Sequence, residues 1–577
     1  MNAIRAAIRR LLRAYPRIDR LVRLSVRRHR AGRTAHPRWR EMLGSDYDTY
    51  RARHAAAQGG PKVLIATSVG SHWAGTSLES LIGAALTLRG AEAHVLLCDR
   101  VLPACLHCDT TWYPDVAHFV RHGPSRDLCH HCFEPAEGMF RELLLPVHRY
   151  GAFLTPEDRA RAAELAHTIP AEAIREFTLD GMAVGEHALA GALRFYARAT
   201  LDGDRHGPAV LRRYFEAALL TTFAVRRLLR DQGYRVAVFH HGIYVPQGLV
   251  GEVCRSEGVR VVNWNPAYRK RSFIFSHSQT YHHALMHEPT QIWEGLNLSP
   301  AQETELLAYL KSRWYGTQDW IWFHEHPVAE LDAIAREIPA NFTKPCIGLL
   351  TNVMWDAQLH YPANAFSSML AWVEHTIRHF AGRPDLQLII RVHPAEIRGT
   401  LRSRQPLVAE VRRLFPTLPP NVFVIPPESP VSTYAVMERC NAVLIYGTKT
   451  GVELTSMGIP VIVAGEAWIR NKGLTLDARS IAHYDELLGR LPLPAPMDAA
   501  TQERARRYAY HFFFRRMIPL APMEPAPGNP PYRVAVRGLD ALAPGADPGL
   551  DVVCDGILDG REFVYPAEQL AAPRRNA

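Results

Sequence analysis

The stretch LIYGTKTGVELTSMGIPVIVAG, from Leu444 to Gly465, decides the fold. A short apolar run is followed by a loop rich in Gly, Thr and Lys, an amphipathic segment and a second apolar run. This order predicts strand, loop, helix and strand, the unit of a parallel α/β sheet. Ligands of such sheets bind beyond the carboxyl ends of the strands, so the loop is a candidate anion site.

The same alternation of apolar runs and amphipathic segments occurs in two series along the chain. One series begins at Lys62 with KVLIATS and continues with AHVLLCD, YRVAVFHHG and VRVVNWN. The other begins at Cys346 with CIGLLTN and continues with LQLIIRVHP, NVFVIPP, NAVLIYG and PVIVAG. Two such series, separated by a polar helical middle, predict two Rossmann-like α/β domains that face a cleft.

Composition shifts add the remaining boundaries. A Pro/Gly-rich final segment is typical of an extended, loosely attached tail, and the aromatic-basic stretch before it predicts a helix that packs back across the domains. The predicted units are a basic amphipathic N-terminal arm (1–45), an N-terminal acceptor domain (60–335) with a cysteine-rich insertion (101–135), a C-terminal nucleotide-sugar domain (345–490), a linking helix (500–518) and the tail (520–577).

The composition is that of a soluble globular protein with room for two or three domains: 577 residues, 47% hydrophobic and 21% charged. No window approaches the roughly 18 consecutive apolar residues of a membrane span. Residues 1–40 hold thirteen Arg and one acid, Asp19, so this arm carries the whole net charge of +10 and leaves the rest of the chain at −2.

In this arm Ile4, Ile8, Leu11, Leu12 and Tyr15 recur at helical spacing among the arginines. Such a basic amphipathic helix fits an anionic membrane surface. A solvated helix packed on the body and an organelle presequence are the alternatives. No nucleic-acid recognition motif is present, so nucleic acid is not an expected partner.

The loop Gly447-Thr448-Lys449-Thr450-Gly451 offers glycines for close backbone approach, two hydroxyls and an ammonium group. It lacks the Walker order, and in GSHWAGTS (Gly70–Ser77) a Thr stands where the Walker Lys belongs. Phosphoryl transfer from ATP therefore has little support. A tight strand-to-helix turn is the alternative to a phosphate site.

A second candidate element, IIRVHPAEIRG, ends a strand with Arg391, His393 and Pro394. His donates to phosphate or protonates a leaving oxygen near neutral pH, and Arg contacts anions in a bidentate manner. We expect the Lys449 loop to lie two strands away from it. A capped loop His without function is the alternative.

Together, RVHP, PPESPVSTY (Pro426–Tyr434) and GTKTGVELTSMGIPVIVAG resemble the C-terminal half of bacterial capsular polysaccharide biosynthesis proteins. FHHGIYVPQG and NWNPAYRKRSFIFSH resemble the N-terminal half, so the resemblance covers about residues 60–475. That family is similar to the Kdo- and sialic-acid-type transferases of GT-B fold. The resemblance implies two GT-B-like domains and a nucleotide-activated sugar, with a CMP-sugar favoured.

The resemblance also implies roles for individual residues. His393 contacts the nucleotide phosphate and assists departure of the leaving group. Glu453 reaches ribose hydroxyls. The residues that would contact the phosphate are Thr448, Lys449, Thr450 and Gly451. Ser429 and Glu428 would contact the nucleobase or the ribose, and Glu428 is also a catalytic candidate.

The acceptor side of the cleft has weaker signals. The reaction needs a base to take the acceptor proton if it inverts configuration. His72 and His241 are the leading candidates, and Glu79, His240 and Asp356 are the others. The Glu, seven residues, Glu pattern of retaining enzymes is absent after Glu453, so the stereochemistry stays open.

Four of the nine cysteines form two C-x-x-C pairs, Cys105 with Cys108 and Cys129 with Cys132, twenty residues apart. This spacing predicts a tetrahedral structural Zn²⁺ site in the insertion. An iron–sulfur cluster, or ligation by His107, His130 or His131 in place of a cysteine, is the alternative.

The sequence thus predicts a glycosyltransferase that extends a capsular or surface polysaccharide. The expected acceptor is a glycan or a glycolipid, and one form of this hypothesis has a lipid-linked acceptor. We expect it in the cytoplasm, peripheral on the inner face of the cytoplasmic membrane. A nucleotide-sugar epimerase of the same fold and a non-catalytic protein of polysaccharide binding or export assembly are the alternatives.

Overall fold

The computed structural model describes residues 36–124, 126–320, 327–330, 334, 336–357, 359 and 362–570, with residues 15, 18–19, 21–22 and 25–26 of the arm. Most of the basic arm lies outside the described residues, so its amphipathic helix stays a prediction. In the described part of the chain, no helix has the length and apolar character that a membrane crossing requires.

The first sheet has seven strands in the order β13-β6-β5-β4-β1-β2-β3. Strands β1 to β5 pair in parallel, and β6 and β13 add an antiparallel edge. The strands of this sheet are β1 (Lys62–Ser68), β2 (Glu92–Leu97), β3 (Val147–Arg149), β4 (Val236–His240), β5 (Arg260–Pro266), β6 (Ser272–His277) and β13 (Ile518–Pro519).

The second sheet has six parallel strands in the order β12-β11-β10-β7-β8-β9. Its strands are β7 (Cys346–Leu350), β8 (Gln387–Arg391), β9 (Val422–Ile425), β10 (Ala442–Ile445), β11 (Val461–Val463) and β12 (Leu476–Asp477). The predicted fold class of two parallel α/β domains is confirmed. A separate hairpin consists of β14 (Met523–Pro525) and β15 (Tyr532–Val534).

Helices connect the strands and cover the sheets. They are α1 (Trp39–Leu43), α2 (Tyr47–Ala56), α3 (Trp73–Leu88), α4 (Val116–His122), α5 (Arg126–Glu142), α6 (Pro156–Thr168), α7 (Val184–Tyr196), α8 (Gly207–Gln232), α9 (Gln247–Ser256), α10 (Tyr281–His287), α11 (Gln291–Glu294), α12 (Pro300–Ser312), α13 (Met369–Ala381), α14 (Ala395–Arg398), α15 (Leu407–Leu414), α16 (Thr433–Met437), α17 (Thr450–Ser456), α18 (Ile481–Gly489), α19 (Ala499–Tyr510) and α20 (Pro548–Asp559).

The central strands are apolar throughout because both faces of each sheet are covered. In β1, Leu64 points into one hydrophobic core while Ile65 points into another. In β10, Leu444 and Ile445 likewise enter separate cores. Successive side chains of a strand point to opposite faces, so a doubly covered parallel strand loses the polar alternation of a half-exposed one.

The helices between the two sheets pack on both domains: α10 packs against β5 and β6 of the first sheet, and α11 and α12 pack against α19. Trp293, Leu306 and Tyr309 share one buried cluster with Val443 and Ile445 of β10. Their apolar periodicity identifies helices but does not say which sheet they cover.

The predicted linking helix is confirmed as α19, which continues into a π-helical turn at His511–Arg515. It packs against α17 of the second domain, and the chain then forms β13 beside β6 of the first. The chain therefore returns to its first domain after completing the second.

The prediction of a loosely attached tail is wrong. Leu520, Met523, Leu550, Val553 and Phe563 are buried in one core with residues of β1 and α3. Within α20 the apolar residues recur at helical spacing, a signal that the Pro/Gly-rich segments around it obscured.

Replacement of Leu550 by Ala tests this packing. Leu550 is 0% exposed, so Leu550→Ala should lower the free energy of unfolding by about 2–5 kcal/mol through lost burial and the cavity left behind. Urea unfolding of the full chain measures the change. Leu570→Ala is the matched control, because Leu570 is 38% exposed. Equal stability of the two variants would contradict the docked tail.

Candidate functional site

The loops after β10, β7 and β8 lie side by side at the carboxyl edge of the second sheet. Because β7 lies between β10 and β8, the Thr448 loop and His393 are two strands apart, as the sequence predicts. Asn352, which follows β7, accepts a hydrogen bond from Gly447 N at 3.4 Å. Thr351 Oγ1 accepts one from His393 N at 3.1 Å. The middle loop thus connects the two predicted donor-binding elements.

The ring of His393 has a defined orientation. Its Nδ1 accepts a hydrogen bond from Ala395 N at 3.1 Å. In the neutral imidazole the proton is therefore on Nε2, which makes Nε2 the nitrogen that donates. This arrangement suits a hydrogen bond to an anionic oxygen.

The loop after β10 is shaped by its hydroxyls and by close packing. Thr448 Oγ1 lies 3.1 Å from Thr450 Oγ1 and accepts from Thr450 N at 3.3 Å. A Cβ on Gly451 would lie 2.7 Å from Ile445 Cδ1 and 3.0 Å from Ile469 Cγ2. Gly451 therefore serves the packing of α17 on the sheet, which accounts for it without a ligand contact.

Lys449 and Glu453 form a buried ion pair. Lys449 Nζ donates to Glu453 Oε1 at 2.6 Å and lies 4.5 Å from the ring centroid of Tyr268. Arg313 Nε lies 3.1 Å from the same carboxylate oxygen, and the Tyr434 hydroxyl donates to Oε2. Glu453 is only 1% exposed, so this geometry does not support its predicted contact with a ribose.

The pKa values of this group agree with a set of paired charges. Burial by itself would raise the pKa of Glu453, but Arg313 and Lys449 outweigh it and lower the pKa to about 2. Burial and the nearby Arg313 charge lower the pKa of Lys449 from its ordinary value. Arg313 also pairs with Asp319, whose carboxylate accepts from the Tyr309 hydroxyl at 2.9 Å.

Arg391 is not directed at the cleft. Its guanidinium donates to the carbonyl oxygens of Pro426 at 2.7 Å and Ser429 at 3.1 Å. Burial lowers its pKa to about 10. Arg391 therefore fixes the segment that follows β9, where Ser429 donates to Glu337 and Glu428 is exposed.

Histidines gather at the carboxyl edge of the first sheet. His72 precedes α3, His240 ends β4, and His241 follows it. The ring centroids of His72 and His240 are 4.5 Å apart, and those of His240 and His241 are 5.4 Å apart. His241 has φ of 64°, a left-handed backbone conformation that non-glycine residues rarely adopt. Such outliers concentrate at functional sites.

These imidazoles are held neutral. Burial, with a further contribution from the Arg194 charge, lowers the pKa of His72 to about 4 and that of His241 to about 3. Beneath them, Glu79 Oε1 accepts from Trp264 Nε1 at 3.0 Å, and burial raises the Glu79 pKa to about 7.

One hydrogen-bonded bridge joins the edges of the two sheets. The Tyr244 hydroxyl donates to Asp356 Oδ1 at 2.7 Å and accepts from Ala357 N at 2.8 Å. Nearby, Trp468 Nε1 donates to His282 Nδ1 at 3.1 Å. The histidines of the first domain therefore face the loops of the second.

Sequence reasoning missed Arg194, Tyr244 and Arg313. Tyr244 lies within FHHGIYVPQG but was not singled out there, Arg194 and Arg313 lie outside the quoted motifs, and only the chain's path brings all three to the cleft. The helical spacing of α7 and α12 predicts that these helices form, but nothing local marks Arg194 near the end of α7, or Arg313 just beyond α12, as directed inward.

The cysteine pairs lie in different local structures. Cys105 and Cys108 are in a turn with their Sγ atoms 3.9 Å apart, and the Tyr214 hydroxyl donates to both of their carbonyl oxygens. Cys129 and Cys132 are on α5, and Ser71 N donates to Cys132 Sγ at 3.2 Å. Within the described ranges, no three His, Cys, Asp or Glu residues are arranged as a metal site.

No family model and no curated protein matches the chain. Among solved structures, it is similar to two KpsC proteins of Thermosulfurimonas dismutans. For the beta Kdo 2,4 transferase, the identity is 13%, the TM-score 0.29, and the match covers 48% of this chain and 80% of that one. For the beta Kdo 2,7 transferase, the identity is 14%, the TM-score 0.30, and the match covers 55% of this chain and 88% of that one.

The chain is also similar to the UDP-GlcNAc 2-epimerase of Neisseria meningitidis bound to UDP-GlcNAc. The identity is 10%, the TM-score is 0.24, and the match covers 77% of this chain and 94% of that one. Transferases and an epimerase both occur at this level of similarity, so these likenesses do not decide the function.

Replacement of Glu453 by Gln tests the buried charge group. Glu453→Gln leaves Lys449 and Arg313 without their carboxylate and should lower the free energy of unfolding at pH 7 by about 3–5 kcal/mol. The folded-state pKa of about 2 lies below the ordinary 4.5. The carboxylate's contribution is therefore fully present above about pH 5 and is lost as the pH falls towards 2.

Urea unfolding at pH 7, 5 and 3 measures this, and the difference between wild type and Glu453→Gln should narrow as the pH falls. Glu374→Gln is the control, because Glu374 forms a surface ion pair with the exposed Arg378 on α13. A pH-independent difference would show that the carboxylate's charge is not what stabilises the fold.

Proposed function

We propose that this protein is a glycosyltransferase that moves a sugar from a nucleotide-activated donor to a capsular or surface polysaccharide. The observation that carries the proposal is the pairing of two sheet edges. One edge presents His393 and the Thr448 loop, the other presents His72 and His241, and the bridge from Tyr244 to Asp356 holds them together. Glycosyl transfer needs a phosphate-binding edge and an acceptor-binding edge in this relation.

The donor binds on the second domain. His393 Nε2 donates to a phosphate oxygen of the nucleotide, and the hydroxyls of Thr448 and Thr450 add donors on the other side of Asn352. As the bond from the sugar's anomeric carbon to phosphate oxygen breaks, negative charge grows on that oxygen, and the His393 proton stabilises it. Lys449 holds the shape of the loop through its ion pair with Glu453.

The acceptor binds on the first domain. Its hydroxyl oxygen forms the new bond to the anomeric carbon and loses its proton to a base. His72 is the proposed base, with His241 as the second candidate. Both are neutral near pH 7 because burial and Arg194 lower their pKa values, so each has a ring nitrogen lone pair for the proton.

Three features extend the proposal. The resemblance of RVHP and the GTKTG loop to capsule transferases favours a CMP-activated acidic sugar as donor. The arginine-rich arm docks on the anionic inner face of the cytoplasmic membrane, near a lipid-linked acceptor. A structural Zn²⁺ would be held by Cys105 and Cys108 together with Cys129 and Cys132, and it would cross-link the insertion. The support for the metal is the C-x-x-C spacing of both pairs and the 3.9 Å between Cys105 Sγ and Cys108 Sγ.

Replacement of His393 by Ala tests the transfer. His393→Ala should lower kcat/KM by about 100- to 10,000-fold, the range for loss of a general acid. The assay follows nucleotide release and glycan extension with CMP-, UDP-, GDP- and ADP-sugars. His483→Ala on α18 is the matched control and should retain wild-type activity. Thr448→Val should weaken nucleotide binding in thermal-shift measurements without disturbing Lys449.

The same assay separates the alternatives. Nucleotide release that requires an acceptor and fails in His393→Ala supports transfer. A sugar nucleotide isomerised without acceptor would replace this proposal with the epimerase, and glycan binding without turnover would replace it with a binding or assembly protein. Unchanged transfer by folded His393→Ala would overturn the role of His393.

Metal analysis tests the zinc proposal. Protein purified without chelators should contain about one equivalent of zinc, and Cys108→Ser should lose it because a structural site needs all four ligands. Cys554→Ser, at a buried cysteine of α20, is the matched control and should keep the metal. Less than about 0.2 equivalents in wild type, or equal metal in both variants, would contradict the site.

A further inference from the structure

The first domain's edge of the cleft carries a concentration of basic groups that deprotonation of an acceptor hydroxyl does not require. We call Arg194, His240 and His241, with His72 and His107 beside them, the histidine–arginine cluster. The ring centroids of His72 and His107 are 6.2 Å apart, and Arg194 Cζ lies 5.4 Å from the Tyr244 ring centroid.

Arg194 has no acidic partner in the described part of the chain. Its guanidinium donates to Leu106 O at 2.5 Å, and no described carboxylate lies within ion-pair distance of it. Glu79 and Asp356, two described carboxyl groups near the cluster, are engaged elsewhere, since Glu79 accepts from Trp264 and Asp356 accepts from Tyr244. A half-buried guanidinium without a counter-charge is a site that favours an anion.

Two imidazole nitrogens of the cluster are also unsatisfied. His240 Nδ1 and His241 Nδ1 are buried without a hydrogen-bond partner among the described residues, and His240 is 8% exposed. Buried polar atoms are normally paired, so each such nitrogen calls for an explanation such as a bound group. As N–H donors they complement the guanidinium.

The Arg194 charge acts on its neighbours in a consistent direction. After burial, it contributes to the lowered pKa values of His72, His240 and His241. By reciprocity, an anion bound between these groups would offset that effect and stabilise the whole cluster.

We propose that Arg194, His240 and His241 form a subsite for an anionic group on the acceptor, either the carboxylate of an acidic sugar or the phosphate of a lipid carrier. The inference rests on the proposed function only in assigning the ligand to the acceptor, because the cluster belongs to the first domain and the donor loops to the second. The anion anchors the acceptor while its hydroxyl meets His72.

Binding of small probes to the full chain, without any donor, tests the subsite. The probes are methyl glucuronoside for a carboxylate, glucose 1-phosphate for a phosphate, and methyl glucoside as the neutral counterpart. Calorimetry should show binding of at least one anionic probe and at least 10-fold weaker binding of methyl glucoside. The stronger anionic probe identifies the source of the anion.

Matched arginine variants locate the binding. Arg194→Met should weaken binding of the anionic probe by about 10- to 100-fold, which is the scale of one charge-assisted hydrogen bond. Arg194→Lys should recover part of this lost affinity. Arg213→Met is the control, because Arg213 also donates to a carbonyl oxygen, that of Val120, and lies over an aromatic ring, that of Phe119. It should bind like wild type.

Two results would overturn the subsite: equal binding of methyl glucoside and the anionic probes, or equal losses in Arg194→Met and Arg213→Met. His393→Ala should bind the anionic probe like wild type. Arg194-dependent binding in a protein that does not transfer sugar would therefore refute the proposed function and leave the subsite standing. Active transfer without Arg194-dependent binding would refute the subsite and leave the proposed function standing.

Discussion

The buried carboxylate of Glu453 is the interaction on which the second domain and its cleft depend. It lies on α17, next to the loop that follows β10, and it pairs with Lys449 of that loop and with Arg313, just beyond α12. The Tyr434 hydroxyl adds a hydrogen bond from α16. A buried carboxylate needs such partners to remain ionised, so the three segments are fixed relative to one another.

This constraint explains why the donor loop has a defined shape without a Walker sequence. The Lys449 ammonium is turned away from solvent into its ion pair, so the groups that line the loop are the hydroxyls of Thr448 and Thr450 and the backbone. Arg391 has a similar structural role one segment away, where its guanidinium holds the carbonyl oxygens of Pro426 and Ser429. The charged residues of the loops build the site, and the smaller polar groups face it.

The two domains are connected by more than the cleft. The chain leaves the second sheet through α19, adds β13 to the first sheet and buries Leu550 and Phe563 against α3. The first domain is therefore closed by residues that follow the second. Its histidines, the bridge from Tyr244 to Asp356 and the charge of Arg194 face the donor loops as a result of this double connection.

The sequence was enough to predict the two parallel sheets, the linking helix and the positions of His393 and the Thr448 loop two strands apart, because apolar periodicity and strand-end loops are local properties. It did not say which sheet each of α10 to α12 covers, and it assigned the C-terminal segment to a loose tail, because composition does not say what a helix covers. It named Lys449, Glu453 and Arg391 by charge alone. Burial and ion pairing depend on segments that are distant in the chain and that folding brings together. The tertiary structure was therefore needed to show that these three charges are buried against distant partners. It was also needed to show that Arg194 lies at the cleft without an acidic partner among the described residues.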